Sequence, residues 1–304
     1  MSAAVPGQRA LTGAAFATLL LIALMMGSNH VAARVAFNHG TDVATAVVFR
    51  SLVTAGVVAA IIVLQGVPVR LAGRSKRFLV VIGLLIGVQG LCLYAAVARL
   101  PVALALLAFN TYPLWTALWA AVIYRQKPEK AVLVAMPVIL AGLALALDVF
   151  GAASGLGAAG QWSRIGAGVA FALAAGATFG MALVLTQHET VDVDGRVRTA
   201  STMGIAGLVA LATVVLQGGF QFPHDAVGWG GLGALTFLYG TAFTIMFIVL
   251  PKLGVVGNSA IMNVEPVFAL VLAWLILGQS IATIQVVGAL VVVGTVMLLG
   301  IRKR

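Results

Sequence analysis

Two short polar stretches stand out because their residue types could do chemistry where apolar side chains cannot: Asn110-Thr-Tyr-Pro113 and Asn263-Val-Glu-Pro266, each inside a long apolar run. A proline within a helix removes one hydrogen bond and frees carbonyls in the preceding turn, so Pro113 and Pro266 read as helix hinges. Asn110 and Asn263, about one turn earlier, have two readings: they present an amide to a ligand, or they satisfy the loosened backbone. Glu265 is the ionisable member of the pair. A carboxylate at the centre of a bilayer costs at least ~2.5 kcal/mol on insertion scales, so it must face a cavity or a partner. As chemistry it is a proton carrier or a ligand for an ammonium group; as architecture it is a protonated, hydrogen-bonded strut.

Other candidates lie around these two stretches. Tyr94, Tyr112, Trp115, Trp119 and Tyr239 supply aromatic surface. Such residues are commonly interface anchors, but Tyr112, Trp115 and Tyr239 fall deeper in their runs, where they suit a pocket for an aromatic or apolar solute. Asn29 and His30 read as the polar outer end of a helix or as a pH-responsive gate. Arg50, about two turns into its run, is expected to snorkel outward or to pair with Asp42 in preference to binding substrate. The candidate substrate site is therefore Asn110, Tyr112, Trp115, Tyr239, Asn263, Glu265, His30 and Tyr94.

Several chemistries have no residues to carry them. Glu189, Asp192 and Asp194 share one loop without a His-x-x-x-His or Cys pair, so no metal site is expected. Cys92 is the one cysteine, which rules out an internal disulfide or a thiolate cluster. No Walker-type phosphate loop and no Ser/His/Asp set is recognisable, so neither ATP hydrolysis, an enzyme activity nor a cofactor is expected.

The elements that hold these residues follow from composition. Of 304 residues, 62% are hydrophobic and 9% charged, with a mean hydropathy of +1.12, far from the roughly 25% charged of a soluble domain. The net charge of +10 is scattered through short loops without interleaved aromatics, so nucleic acid is not an expected partner; the lipid bilayer is. A span needs ~20 apolar residues. Ten such runs occur, near 11–33, 43–64, 78–98, 101–124, 131–149, 165–186, 199–217, 229–250, 255–277 and 281–301. They are too long and continuous for barrel strands, so the expected fold is an all-α membrane protein of ten transmembrane helices. With the N-terminus inside, 14 of the 18 Lys and Arg residues fall on the cytoplasmic side, which places both termini there.

The chain also repeats itself. A shift of 153 residues sets GAAFATLLLIALMMG (13–27) on GAGVAFALAAGATFG (166–180) and LPVALALLAFNTYPLWTALWAAVIYRQ (100–126) on LGVVGNSAIMNVEPVFALVLAWLILGQ (253–279). Asn110 then meets Asn263, Pro113 meets Pro266 and Gln126 meets Gln279. Two further runs both end in VLQG, at 63–66 and 215–218. The first run thus has a counterpart, which argues for a retained helix over a cleaved signal peptide. Five spans per half is an odd number, so the second half must enter the membrane from the opposite side. The expected organisation is two inverted five-helix repeats, 1–149 and 164–304, joined by a Gly/Ala/Ser-rich connector at 150–163. Paired interruptions in an inverted repeat point to alternating access with a site near the midplane.

MGSNHVAARVAFNHG, followed by FRSLVTAGVV, resembles the opening of the ten-helix EamA-type branch of the drug/metabolite transporter superfamily. NVEPVFALVLAWLILGQS resembles its penultimate helix. Met26 departs from the Trp often found before Gly-Ser, and Gln279-Ser280 replaces a Gly-Glu-Arg-type ending. FNTYP also resembles the Asn-Tyr-x-x-Pro stretch of YddG-type aromatic amino-acid exporters. The resemblance implies outward transport of small metabolites, amino acids first, across a bacterial inner membrane. From the residues themselves, a phosphorylated cargo is disfavoured because no Lys or Arg is expected deeper than Arg50. A neutral or zwitterionic solute suits the candidate site. Open alternatives are a proton-coupled exporter of drugs or cationic metabolites and, in another class, a channel or lipid-handling protein; a monomer is compatible with each.

Overall fold

The computed structural model describes residues 13–69, 71–127, 130–248, 264–280 and 282–302. Among these every regular element is a helix: α1 (Gly13–Asn38), α2 (Val43–Leu64), α3 (Gly73–Arg99), α4 (Val102–Phe109), α5 (Tyr112–Tyr124), α6 (Lys130–Ala146), α7 (Gly157–Glu189), α8 (Gly195–Leu216), α9 (Ala226–Ile248), α10 (Glu265–Leu277) and α11 (Thr283–Arg302). Six described stretches are long and apolar enough to cross a membrane, and shorter apolar helices accompany them. Large apolar side chains stand exposed on the outside, among them Leu64, Leu216, Phe237 and Trp274. An apolar exterior of that extent suits lipid as solvent.

The fourth apolar run is two helices. α4 ends at Asn110, the chain turns through Thr111, and α5 restarts at Tyr112. Pro113 stands in the first turn of α5, where its missing N–H would have had no partner, so it starts a helix instead of bending one. Pro266 has the same place in α10, directly after Glu265. Asn263 lies outside the described residues.

Local chemistry explains the repeated motifs. Each VLQG ends a helix: Gln65 and Gln217 are C-caps with φ near −93° and −91°, and Gly66 and Gly218 follow at φ +59° and +96°, a region cheap only for glycine. At the far ends of α5 and α10, Arg125 and Gly278 are left-handed at φ 55° and 64°. The next residues close the same loop, Gln126 N–H donating to Ala120 O and Gln279 N–H to Ala273 O, both at 3.2 Å. Starts are also matched in kind: Asp42 accepts from the Ala44 and Thr45 amides, and Asp194 from the Arg196 amide. Sequence self-similarity at 152 to 153 residues is thus reproduced as helix-end geometry.

Packing repeats as well. α1 packs on α9 and α10, while α7 packs on α3 and α5. Gly27 of α1 leaves room for α10: a methyl there would lie 3.0 Å from Glu265 O and 3.1 Å from Ala269 N. Gly180 of α7 does the same for α5, with Thr116 N at 2.8 Å and the Trp115 Cβ at 2.9 Å. Close backbone approach through small residues is how helices associate when lipid offers no hydrophobic drive. At the centre lies α4, buried from Val102 to Ala108 among α7, α10 and α3. The segment 150–163 has a more defined course than its composition suggests. α7 begins at Gly157, and the Asp148 carboxylate accepts from the Ala153 and Ser154 amides at 3.0 and 2.8 Å.

Candidate substrate site

Helices α1, α2, α3, α9 and α10 bring their polar side chains to one buried cluster. His30 Nε2 on α1 lies 3.2 Å from Glu265 Oε1 on α10, the imidazole 2% exposed and the carboxylate side chain 19%. Glu265 occupies the first turn of its helix, where backbone amides lack intrahelical partners and favour a negative group. One residue before His30, Asn29 accepts a hydrogen bond through Oδ1 from the Tyr94 hydroxyl at 2.9 Å. The His30 ring meets that tyrosine edge-on, centroids 5.7 Å apart.

Arg50 completes the cluster from α2. Its guanidinium carbon sits 4.3 Å from the centroid of Tyr94 and 4.3 Å from that of Tyr239, a cation held between two aromatic rings from different helices. Gly90 on α3 makes the space: a methyl at that position would run into Arg50 Nη2. Three buried groups here have no hydrogen-bond partner among the described residues, namely Arg50 Nε, Asn29 Nδ2 and His30 Nδ1. Buried polar groups are seldom left in this way unless something else meets them.

The structure thus brings His30, Tyr94, Tyr239 and Glu265 together. Tyr112 is packed with Phe109 and Phe179, centroids 5.6 and 5.2 Å away. Trp115 packs at the α5/α7 crossing beside Gly176 and Gly180, and Asn110 is the C-cap of α4.

Arg50 is a correction. It neither snorkels nor pairs with Asp42, whose carboxylate is taken up in capping α2 and in accepting from Gln217. At 2% exposure it is a buried cation at the heart of the molecule. Sequence reasoning missed it because the receiving rings come from positions 94 and 239. The one local signal is Gly90, a residue without a side chain four positions before Tyr94.

The acidic loop residues have other work. Glu189 binds Arg74 at 2.7 Å and accepts from the Tyr124 hydroxyl at 2.7 Å, tying α7 to α3 and α5. Asp194 pairs with Arg196 at 2.8 Å. Near the other helix ends, Arg34 Nη1 donates to Val97 O and Leu100 O, and the Gln279 side chain accepts from the Val102 amide, holding the start of α4.

A family model described as "EamA-like transporter family" matches this chain twice, over residues 13–147 and again over 166–301. The chain belongs to the EamA-like transporter family. The two matches begin at the same pair of residues, 13 and 166, that the internal repeat aligns. As an EamA-like protein it is a multi-pass membrane transporter of the drug/metabolite transporter superfamily, built from two repeats. A crystal structure with 19% sequence identity aligns with a TM-score of 0.62, covering 96% of this chain and 100% of that one, a likeness that extends to the fold alone. No curated protein matches the sequence. For an EamA-like transporter, a polar cluster of His30, Arg50, Tyr94, Tyr239 and Glu265 shared between the two repeats is the natural candidate for the site.

Proposed function

We propose that this protein is a secondary transporter that exports small neutral or zwitterionic metabolites, amino acids foremost, across a bacterial inner membrane by alternating access. The observation that carries this reading is the buried cluster, to which the first repeat contributes His30, Arg50 and Tyr94 and the second Tyr239 and Glu265. A site assembled from both repeats is exposed to one side or the other as the repeats rock against each other. The paired packing at Gly27 and Gly180 supports an inverted repeat of ten spans, with cytoplasmic termini following from the distribution of basic residues. Glu265 or helix-end carbonyls receive the substrate ammonium, Tyr112 and Tyr239 offer aromatic surface, and the unit works as a monomer. Counterflow of labelled phenylalanine, threonine and methionine into proteoliposomes loaded with the same unlabelled amino acid tests it. Saturable accumulation above protein-free liposomes is the expected result. Flux that neither saturates nor responds to the internal amino acid would mean a channel.

The contact between His30 and Glu265 favours one second reading, proton-coupled export of a cationic metabolite. Protonation of either group breaks or remakes the charge pairing. On that reading Glu265→Gln abolishes the dependence of transport on an imposed pH gradient, and unchanged coupling excludes it.

A further inference from the structure

Arg50 poses a physical problem that the packing around it does not solve. A guanidinium stays protonated at any ordinary pH and is expensive to bury without a counter-charge. Among the described residues no carboxylate lies within ion-pair distance of it; the half-buried acid Glu265 is in contact with His30 instead. Two aromatic faces and a hydrogen bond to the Tyr94 hydroxyl offset part of the cost, but among the described residues Arg50 Nε has no acceptor. Asn29 adds a second orphaned donor, Nδ2, on the residue whose oxygen accepts from the Tyr94 hydroxyl. The unmet need is thus for an acceptor with two oxygens and one negative charge, which describes a carboxylate.

We propose that Arg50, held between Tyr94 and Tyr239 beside Asn29, is the carboxylate-binding group of the substrate site. The proposal rests on the transporter reading and deepens it, by requiring that the cargo carry a carboxylate. The planar fork of a guanidinium accepts both oxygens of a carboxylate at once. The flanking rings fix its plane, and Gly90 supplies the space it occupies. Amino acids and simple organic acids meet the requirement. Amines, amides and cationic drugs do not.

Thermal unfolding of the full-length protein in detergent, titrated with phenylalanine, phenylacetate, phenylalaninamide and 2-phenylethylamine, tests this, with sodium chloride and sodium sulfate as anion controls. Stabilisation by phenylalanine and phenylacetate but not by the amide or amine is expected. Arg50→Gln should abolish it. Because removing a buried cation risks the fold, Gly90→Ala is the second variant: its methyl displaces Nη2 and should raise the half-maximal concentration of both carboxylates by about 10- to 100-fold, the range of a charge-assisted hydrogen bond. Equal stabilisation by amide and acid, equal stabilisation by chloride or sulfate, a wild-type response in Gly90→Ala, or no carboxylate response at all would each overturn the proposal. Failure is separable from failure of the transport reading. Phenylalanine counterflow that phenylalaninamide inhibits equally well sinks the carboxylate site and leaves the transporter. A phenylacetate response without amino-acid counterflow does the reverse.

Discussion

Tyr94 and Tyr239 flank the same guanidinium yet differ in what their hydroxyls do, and that difference is measurable. Tyr94 donates to Asn29 Oδ1 at 2.9 Å in a fully buried setting, whereas the Tyr239 hydroxyl has a sulfur, Met203 Sδ, at 3.7 Å. Tyr94→Phe leaves a buried acceptor unmet and should cost about 1–3 kcal/mol, while Tyr239→Phe, losing only a weak contact, should stay within about 1 kcal/mol of wild type. Paired thermal melts in one detergent decide it; equal losses would mean that the Asn29 bond contributes nothing particular. What the sequence allowed at this scale depended on distance along the chain. Asn110, Pro113 and Glu265 announce themselves because each is out of place in its own apolar run. Arg50 does not, because Asp42 nearby suggests a partner that the α2 cap has already claimed. Only the packing of three helices reveals that its partners are rings.

Two glycines and one cap carry the testable content of the elements. At Gly180 an added methyl would meet backbone nitrogen at 2.8 Å, and at Gly27 backbone oxygen at 3.0 Å. Backbone cannot turn aside as a side chain can, so Gly180→Ala should destabilise by ~1–3 kcal/mol and Gly27→Ala by somewhat less. Gly56, with nothing within 4 Å of an added methyl, is the control whose alanine variant should melt like wild type or slightly above it. At the start of α8, Asp194 is held at about 2 by its hydrogen bond to Arg196, well below the ordinary carboxylate value. A depressed carboxylate contributes stability that is complete above its unfolded value near 3.9 and lost as pH falls through about 2. Asp194→Ala should therefore cost about 1 kcal/mol at neutral pH, and its melting temperature should converge on that of wild type as the pH is taken from 5 toward 2. A gap that stays constant would assign the loss to something other than the charge. Helix ends such as VLQG were legible because caps are written locally. The break at Asn110 and Thr111 was legible as a disturbance but not as two helices, since a proline permits a kink or a restart equally well.

For the whole molecule the main fact is that the repeats are not self-contained. The first helix of each packs on the other repeat, α1 on α9 and α10, α7 on α3 and α5. A chain cut after Ser154 should consequently yield halves that fail to accumulate separately and recover a stable, co-purifying complex when expressed together; a first half stable by itself would contradict the packing. The all-helical class and the two-repeat organisation could be read from the sequence. The exchange of first helices could not, because periodicity describes each span but not its neighbour. That exchange also sets a schedule. Between the end of α1 at Asn38 and the start of α9 at Ala226, roughly 190 residues must be synthesised, about 10–40 s at ordinary translation rates. Throughout that interval α1 waits in lipid with His30 on its surface, a polar residue whose partner on α10, Glu265, does not yet exist. The order in which the ribosome delivers the helices therefore makes the newborn first span the least settled part of the molecule, and the last helices the ones that anchor it.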